Sequence, residues 1–263
     1  MSGLARLEML ARIGFASRGM LYLLIGYAAL VTGRSKSGSE VMADLGPSGP
    51  GRILLFLMAL GFLGYGLWRL IEAAFDTEGN GDDAKGWAKR CGGAVSGLIH
   101  LGLSFTAIKL ATKSGSGSTD SARSAATETL ALPGGQAWLI IVAAILVLVG
   151  LFQIREAISM TFLKFMDAQA CRQAWVRWAG RVGYVSRGIV FAVLGWLLAR
   201  AAMNHDTSQV GEVGAAISAV PEGIRWLLAT GLTLFGLFSF VQGRYRRIND
   251  SGVVERLVST AAR

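Results

Sequence analysis

Cysteine, histidine, proline and charge are all scarce in this chain of 263 residues, and each scarcity closes off a class of protein. The two cysteines, Cys91 and Cys171, have no Cys-x-x-Cys neighbour and no histidine at metal-ligand spacing, which argues against a disulfide framework and a zinc site. Two histidines, of which only His100 falls in an apolar stretch, cannot supply paired axial ligands to a membrane haem. Neither stands beside a serine or cysteine nucleophile and an orienting carboxylate, so no hydrolase triad is written here. No cofactor, metal or catalytic residue is expected, and the chain is not read as an enzyme. Charged residues make up 16%, against about 25% in soluble domains, and the mean hydropathy is +0.48. A large soluble surface is excluded. The net charge of +9 comes with no helix-turn-helix, zinc finger or RNA-binding motif, so nucleic acid is not a partner.

What the chain has in abundance is apolar sequence, gathered into six stretches: Ile13 to Val31, Ile53 to Ile71, Gly92 to Leu110, Ala137 to Ile154, Val182 to Ala202 and Ile224 to Val241. Each is close to the roughly 20 residues of a membrane helix. Their continuous rather than alternating hydrophobicity excludes a β-barrel. The first stretch is not a cleaved signal, because Val182 to Ala202 repeats its pattern in mid-chain.

The octet Arg12-Ile-Gly-Phe-Ala-Ser-Arg-Gly19 returns as Arg181-Val-Gly-Tyr-Val-Ser-Arg-Gly188, with a degraded copy, Arg90-Cys-Gly-Gly-Ala-Val-Ser-Gly97, between them. The expected fold is therefore all-α, a polytopic membrane protein of six transmembrane helices arranged as three tandem two-helix repeats in a pseudo-threefold bundle. Residues 1–263 form one membrane domain, with repeats at about 10–76, 87–163 and 178–247.

Lys and Arg set the orientation. Arg6, Arg12 and Arg18, then Lys85, Lys89 and Arg90, then Lys164, Arg172, Arg177 and Arg181, and finally Arg244, Arg246, Arg247, Arg256 and Arg263 mark four segments as cytoplasmic. The opposing links carry fewer: Arg34, Lys36 and Arg52, then Lys113 and Arg123, then none between Ala201 and Ile224. Both termini are expected inside a bacterial cytoplasmic (inner) membrane. The expected partners are the lipid bilayer, with anionic lipid at the cytoplasmic face, and there is room for a membrane-protein partner.

Small residues recur every seventh position. The first helices of the repeats carry Gly19, Gly26, Gly33; Gly97, Ser104, Ala111; and Gly188, Gly195, Ala202. The second helices carry Ala59, Gly66, Ala73; Ala143, Gly150, Ala157; and Ala229, Gly236, Gly243. Such stripes let membrane helices approach closely and predict a compact bundle. Leu198, off the stripes, is expected to face lipid. Six positions after each central glycine of the second helices stand Glu72, Glu156 and Gln242, close in depth to Arg18, Ser96 and Arg187. These six residues form a candidate intramembrane polar layer. Two pairings are open: Arg18 with Glu72 inside repeat one, or Arg187 with Glu156 and Arg18 with Gln242 across repeats. Among them Arg187 stands out, while Arg200 can reach the outer interface. His100 replaces Tyr22 and Phe191 at its register and reads as a hydrogen-bonded packing residue.

Outside the spans, Val41 to Leu45, Glu128 to Leu132 and Ala215 to Val220 precede Pro47 and Pro50, Pro133, and Pro221, which predicts a short interfacial helix and a stop in each outer link. Ser114 to Ser118 alternates Gly and Ser and reads as a flexible link. Asp76, Glu78, Asp82 and Asp83 form an acidic inner loop without the glycine and glutamate spacing of a calcium loop.

The Arg-x-Gly-x-x-Ser-Arg-Gly starts at Arg12 and Arg181, the segment Gly64-Tyr-Gly-Leu-Trp-Arg-Leu-Ile-Glu-Ala73 and the ending Phe235-Gly-Leu-Phe-Ser-Phe-Val-Gln-Gly-Arg-Tyr-Arg-Arg247 resemble a bacterial family of inner-membrane proteins, domain of unknown function 1206. The resemblance spans about residues 10 to 247 and implies three tandem two-helix units; it implies no activity. The middle repeat departs most, with Gly93 for the aromatic and Ser96 for the arginine. Mitochondrial carriers also have three two-helix repeats, but their odd helices carry a proline signature, and these contain none. Two functions fit the sequence: a non-catalytic scaffold or accessory subunit, or, as the alternative, an ion or small-solute pathway along the pseudo-threefold axis.

Overall fold

The computed structural model describes residues 3–33, 35–112, 121–164 and 166–246. Arg34, Lys113, the Gly and Ser alternation at 114–118 and the tail from Arg247 onward lie outside them. In chain order the helices are α1 (Gly3–Thr32), the short α2 (Gly38–Ala43), α3 (Gly49–Phe75), α4 (Ala84–Thr112), α5 (Ser121–Leu130), α6 (Gly135–Ser159), the short α7 (Ala168–Arg172) after a 3₁₀ turn at Thr161–Leu163, α8 (Ala174–Asn204), the short α9 (Val213–Ser218) and α10 (Glu222–Tyr245). Six of them are long and apolar enough to cross a membrane. Spans such as the 31-residue α8 reach about 46 Å at 1.5 Å per residue. They overshoot the roughly 30 Å hydrocarbon core because their basic, Trp-bearing ends stay helical. Trp87, Trp175 and Trp178 are exposed near the start of α4 and α8, and Trp138 and Trp226 near the start of α6 and α10, two belts at opposite depths.

Extended pairing joins α3 to α4, α6 to α8 and α10 to α1: the second helix of each repeat packs on the first helix of the next, and the last repeat returns to the first. Within repeats, α1 packs on α3 and α8 on α10, but α4 and α6 share no such face. The order around the bundle is therefore α4, α3, α1, α10, α8, α6, a pseudo-threefold ring left open along one seam inside repeat two.

The small-residue stripes build the between-repeat contacts. Their central glycines meet as reciprocal pairs: a Cβ on Gly19 would lie 2.9 Å from the Gly236 carbonyl oxygen, one on Gly97 2.9 Å from that of Gly66, and one on Gly188 2.7 Å from that of Gly150. No side chain fits at those crossings, which is why glycine recurs there. One step along the stripes, Gly26 packs on Ala229 and Gly195 on Ala143, while Ser104 uses the same approach to donate to the Ala59 carbonyl at 2.8 Å.

The outer links meet one another at the end remote from the start of α1. Ser39 donates to Glu212 at 2.9 Å, Arg123 donates to the Ser208 carbonyl at 2.9 Å, and the Thr127 and Thr207 hydroxyls are 2.7 Å apart. Each outer link holds a short helix, as expected, though α2, α5 and α9 all begin earlier than the predicted stretches. Ser37 caps α2 in a capping box with Glu40, and α2 and α9 turn Met42 and Ile217 fully into the core. Pro50 falls inside α3, in its first turn, where the missing N–H has no partner to lose. Leu198 does not face lipid: it is buried with Ala126, Leu139 and Val210, because α5 and the last outer link fold over that face of α8.

At the other end, the Asp167 amide donates to the Tyr245 carbonyl at 2.9 Å, and Arg246 pairs with Glu78. Links one, three and five thus gather at one end and the remaining links at the other, as six crossings require.

Candidate functional site

Three structurally equivalent interfaces carry the polar layer, and each is built differently. Between repeats three and one, Arg18 is buried and each of its three guanidinium nitrogens donates a hydrogen bond. Its Nη2 donates to Gln242 Oε1 at 2.5 Å, its Nη1 to the Tyr65 hydroxyl at 3.1 Å and its Nε to Ser239 Oγ at 3.3 Å. The guanidinium carbon stands 4.6 Å from the Phe15 ring centroid and 5.0 Å from that of Phe235. Buried charge is tolerated when it is hydrogen-bonded and polarisable rings surround it. Of the two sequence-level pairings, Arg18 thus takes Gln242; it does not pair with Glu72.

Between repeats one and two there is no arginine in this register. Glu72, 1% exposed, instead turns to its own helix and the following loop: Arg69 Nη1 lies at 3.5 Å, and Asn80 Nδ2 donates at 2.8 Å. Gly93 makes this possible, since a Cβ there would come within 2.7 Å of Glu72 Oε2. The aromatic lost from the middle signature is replaced by a carboxylate from the neighbouring helix. Ser96 is half-buried, and its carbonyl lies 2.7 Å from His100 Nδ1. His100 is a packing residue hydrogen-bonded to backbone, its ring 4.3 Å from that of Tyr65.

The interface between repeats two and three is unfinished. Arg187 and Glu156 are both half-buried and, among the described residues, neither is in an ion pair. Arg187 turns toward Tyr22, with its guanidinium carbon 5.1 Å from the Phe235 centroid and 5.2 Å from that of Phe191. Among the described residues its Nε is buried without a hydrogen-bond partner, and so are both amide atoms of Gln153, a residue only 4% exposed. The across-repeat pairing therefore forms at Arg18 and not at Arg187, and the tighter network belongs to Arg18.

Sequence reasoning missed the position one turn before Glu72, Glu156 and Gln242, occupied by Arg69, Gln153 and Ser239; a polar residue at the same register in all three repeats was its signal. It also missed the first signature arginine. Arg90 donates from Nε to the Ala73 carbonyl at 2.7 Å and from Nη2 to that of Ala74 at 3.0 Å, closing the end of α3 from the next repeat. The acidic loop is structural: Asp76 accepts from the Asn80 and Gly81 amides at 2.6 and 2.8 Å, Asp83 from the Gly86 amide at 2.7 Å, and Asp82 pairs with Arg90 at 3.1 Å.

Among the described residues outside the spans, three groups are shifted. The Asp206 carboxylate is held below its ordinary value by hydrogen bonds from Ser208. Burial, the largest single influence, acts to raise the Glu78 carboxyl, but Arg246, Arg69 and Lys164 together outweigh it and hold the group below the usual carboxylate range. Burial and the nearby Asp167 push the Cys171 thiol up, whereas Cys91 is exposed.

This architecture matches a family model, Domain of Unknown Function (DUF1206), three times, at residues 13–76, 91–159 and 182–246. The chain belongs to the DUF1206 family. A bacterial relative, "Uncharacterized protein YxxB" of Bacillus subtilis (strain 168), is 28% identical over 250 residues that cover 90% of each chain. No solved structure matches. This DUF1206 protein is a multi-span membrane protein made of tandem helix pairs, and the layer of Arg18, Ser239 and Gln242 is where its first and last units lock together.

Proposed function

We propose that this protein is a non-catalytic component of the bacterial cytoplasmic membrane, a helical scaffold or accessory subunit with both chain ends in the cytoplasm. The observation that carries this reading is the filled interior: at the depth of the polar layer the Arg18 guanidinium is packed among Phe15, Tyr65 and Phe235, and toward the other end Ile25, Met42, Ile217 and Leu232 are fully buried. A solute would have to displace these groups. Orientation rests on the excess of Lys and Arg at the end that holds the start of α1. The pathway reading has one feature in its favour, a polar cavity of about 320 Å³ at the outer face between Glu40, Arg123, Gln209 and Glu212. Of the helices that line it, α2 and α9 send their other faces into the packed core and α5 covers α6 and α8.

Reconstitution into liposomes tests function: no flux of protons, potassium or chloride above empty vesicles is expected, and a flux abolished by Arg18→Ala would favour the pathway. Labelling tests orientation. Cys91 should react with an impermeant maleimide only from the cytoplasmic side, and a cysteine at Ser208 in a Cys-free variant only from outside.

A further inference from the structure

The seam between α4 and α6 differs from its counterparts in residue type as well as in contact. Repeat alignment through the central glycines shows what closes the equivalent seams. In repeats one and three, Gly61 packs on Ser17 and Gly231 on Ser186, Gly14 packs on Tyr65 and Gly183 on Phe235, and Leu21 and Val190 are buried. In repeat two the positions of the Gly–Ser contact are Ile145 and Val95, 51% and 56% exposed, and that of Leu21 and Val190 is Ile99, 55% exposed. Gly92, the counterpart of Gly14 and Gly183, would meet nothing within 4 Å if it carried a Cβ.

The end of the seam nearest the start of α4 changes in chemistry as well as size. Repeat three closes there with Val176, Gly180 and Val241, all buried, and repeat one has Ala11, buried, and Ile71, half-buried, in the last two of these registers. The same three registers in repeat two hold Lys85, Lys89 and Arg155, all exposed and, among the described residues, none of them in an ion pair. An uncovered apolar strip along the spans with three exposed cations at one end has the chemistry to take an acidic lipid.

We propose that the open seam between α4 and α6 holds an anionic phospholipid, with an acyl chain along Val95, Ile99 and Ile145 and the phosphate against Lys85, Lys89 and Arg155. A second transmembrane helix is a poorer occupant. Close helix approach in lipid needs small residues at the contact, and repeat two has replaced Gly61, Gly231, Ser17 and Ser186 by branched side chains, which suit a flexible chain. The inference deepens the scaffold reading by naming what the scaffold carries, and it rests on the membrane placement of the bundle.

The test is lipid retention by the full chain in mild detergent, followed by native mass spectrometry with phosphatidylglycerol and phosphatidylcholine of identical acyl chains. The wild type should keep one phosphatidylglycerol under activation that strips phosphatidylcholine. Lys85→Gln, Lys89→Gln and Arg155→Gln together should lower that retention about tenfold or more, since cations at the membrane surface add attraction for acidic headgroups. The matched set Arg172→Gln, Arg177→Gln and Arg244→Gln at the same end should leave it intact. Val95→Trp, which fills the slot without touching charge, should lower retention of both lipids. Equal loss with both triple variants, equal retention of the two lipids by the wild type, or a lipid-free dimer or protein complex in the spectrum would overturn the proposal. In a Cys91→Ala, Cys171→Ala background, ready disulfide formation between Val95→Cys and Ile145→Cys would show the seam closed and overturn it too. Such results leave the flux measurement untouched, while flux from liposomes would defeat the scaffold reading and leave lipid retention standing, so the two failures are separable.

Discussion

Arg18 and Arg187 occupy the same place in the same octet, yet one is tied into its surroundings by three hydrogen bonds and the other has a buried Nε with no partner. The difference lies on the helix each one faces. Arg18 meets Ser239 and Gln242, both neutral, and the Tyr65 hydroxyl from its own repeat; Arg187 faces the registers of Gln153 and Glu156, and the counterpart of Tyr65 in its own repeat is Phe235, which has no hydroxyl to accept. A signature residue thus acquires its role from the repeat before it, and two identical motifs in one chain carry different energetic weight.

The largest effect that tests this comparison is truncation of the two arginines. Arg18→Ala should destabilise by about 3 kcal/mol, because Gln242 and the Tyr65 hydroxyl lose a charged partner in a buried site, and Arg187→Ala by about 1 kcal/mol. Unfolding in mixed micelles measures both, and equal losses would break the comparison. Next come the signature glycines. Gly183→Leu forces a side chain against the Phe235 backbone and should cost about 1 to 3 kcal/mol, whereas Gly92→Leu at the open seam should stay within about 0.5 kcal/mol. A double-mutant cycle sharpens the contrast further: Arg18 and Gln242 should couple by about 1.5 kcal/mol or more, Arg187 and Glu156 by less than about 0.5 kcal/mol.

Smaller and of opposite sign is Gln153→Leu. Removing an amide buried without partners should raise stability by about 1 kcal/mol, and a loss would mean that Gln153 is engaged after all. The smallest effect concerns pH. Since Arg246 depresses Glu78, the pair contributes fully above about pH 4.5, the ordinary value for glutamate, and its contribution fades as pH falls through the lower folded value. Glu78→Gln should therefore lower the midpoint of unfolding slightly at pH 7 and flatten its decline in acid; an unchanged acid slope would show that the pair stabilises nothing.

Much of the bundle was legible because glycine at seven-residue spacing has one good use in lipid, and Gly19, Gly97 and Gly188 are used that way. Which stripe meets which was not legible. Every repeat carries both stripes, so packing within a repeat and packing between repeats write the same pattern, and only three-dimensional closure chooses between them. The polar layer was readable as a depth but not as a network, because a carboxylate such as Glu72 can reach back along its own helix to Arg69 as easily as across to a neighbour. Leu198 misled for a simpler reason: an apolar residue off the stripe looks the same whether lipid or a folded outer link covers it. The seam in repeat two was written in Lys85, Lys89, Val95, Ile145 and Arg155, residues that look like ordinary membrane sequence until they are set beside Gly180, Ser186 and Gly231.

The closure of the ring between α1 and α10 has a consequence for how the protein is made. Arg18 and Gln242 are separated by 224 residues, so at about 5 to 20 residues per second the arginine waits some 11 to 45 s after its own synthesis before its partner exists. Through that interval the first helix has entered the bilayer carrying a charge that nothing from repeat three yet shields. The bond that fastens the finished bundle is therefore also the debt outstanding longest during its assembly, and a ribosome stalled before α10 would leave an insertion intermediate whose most exposed liability is its first helix.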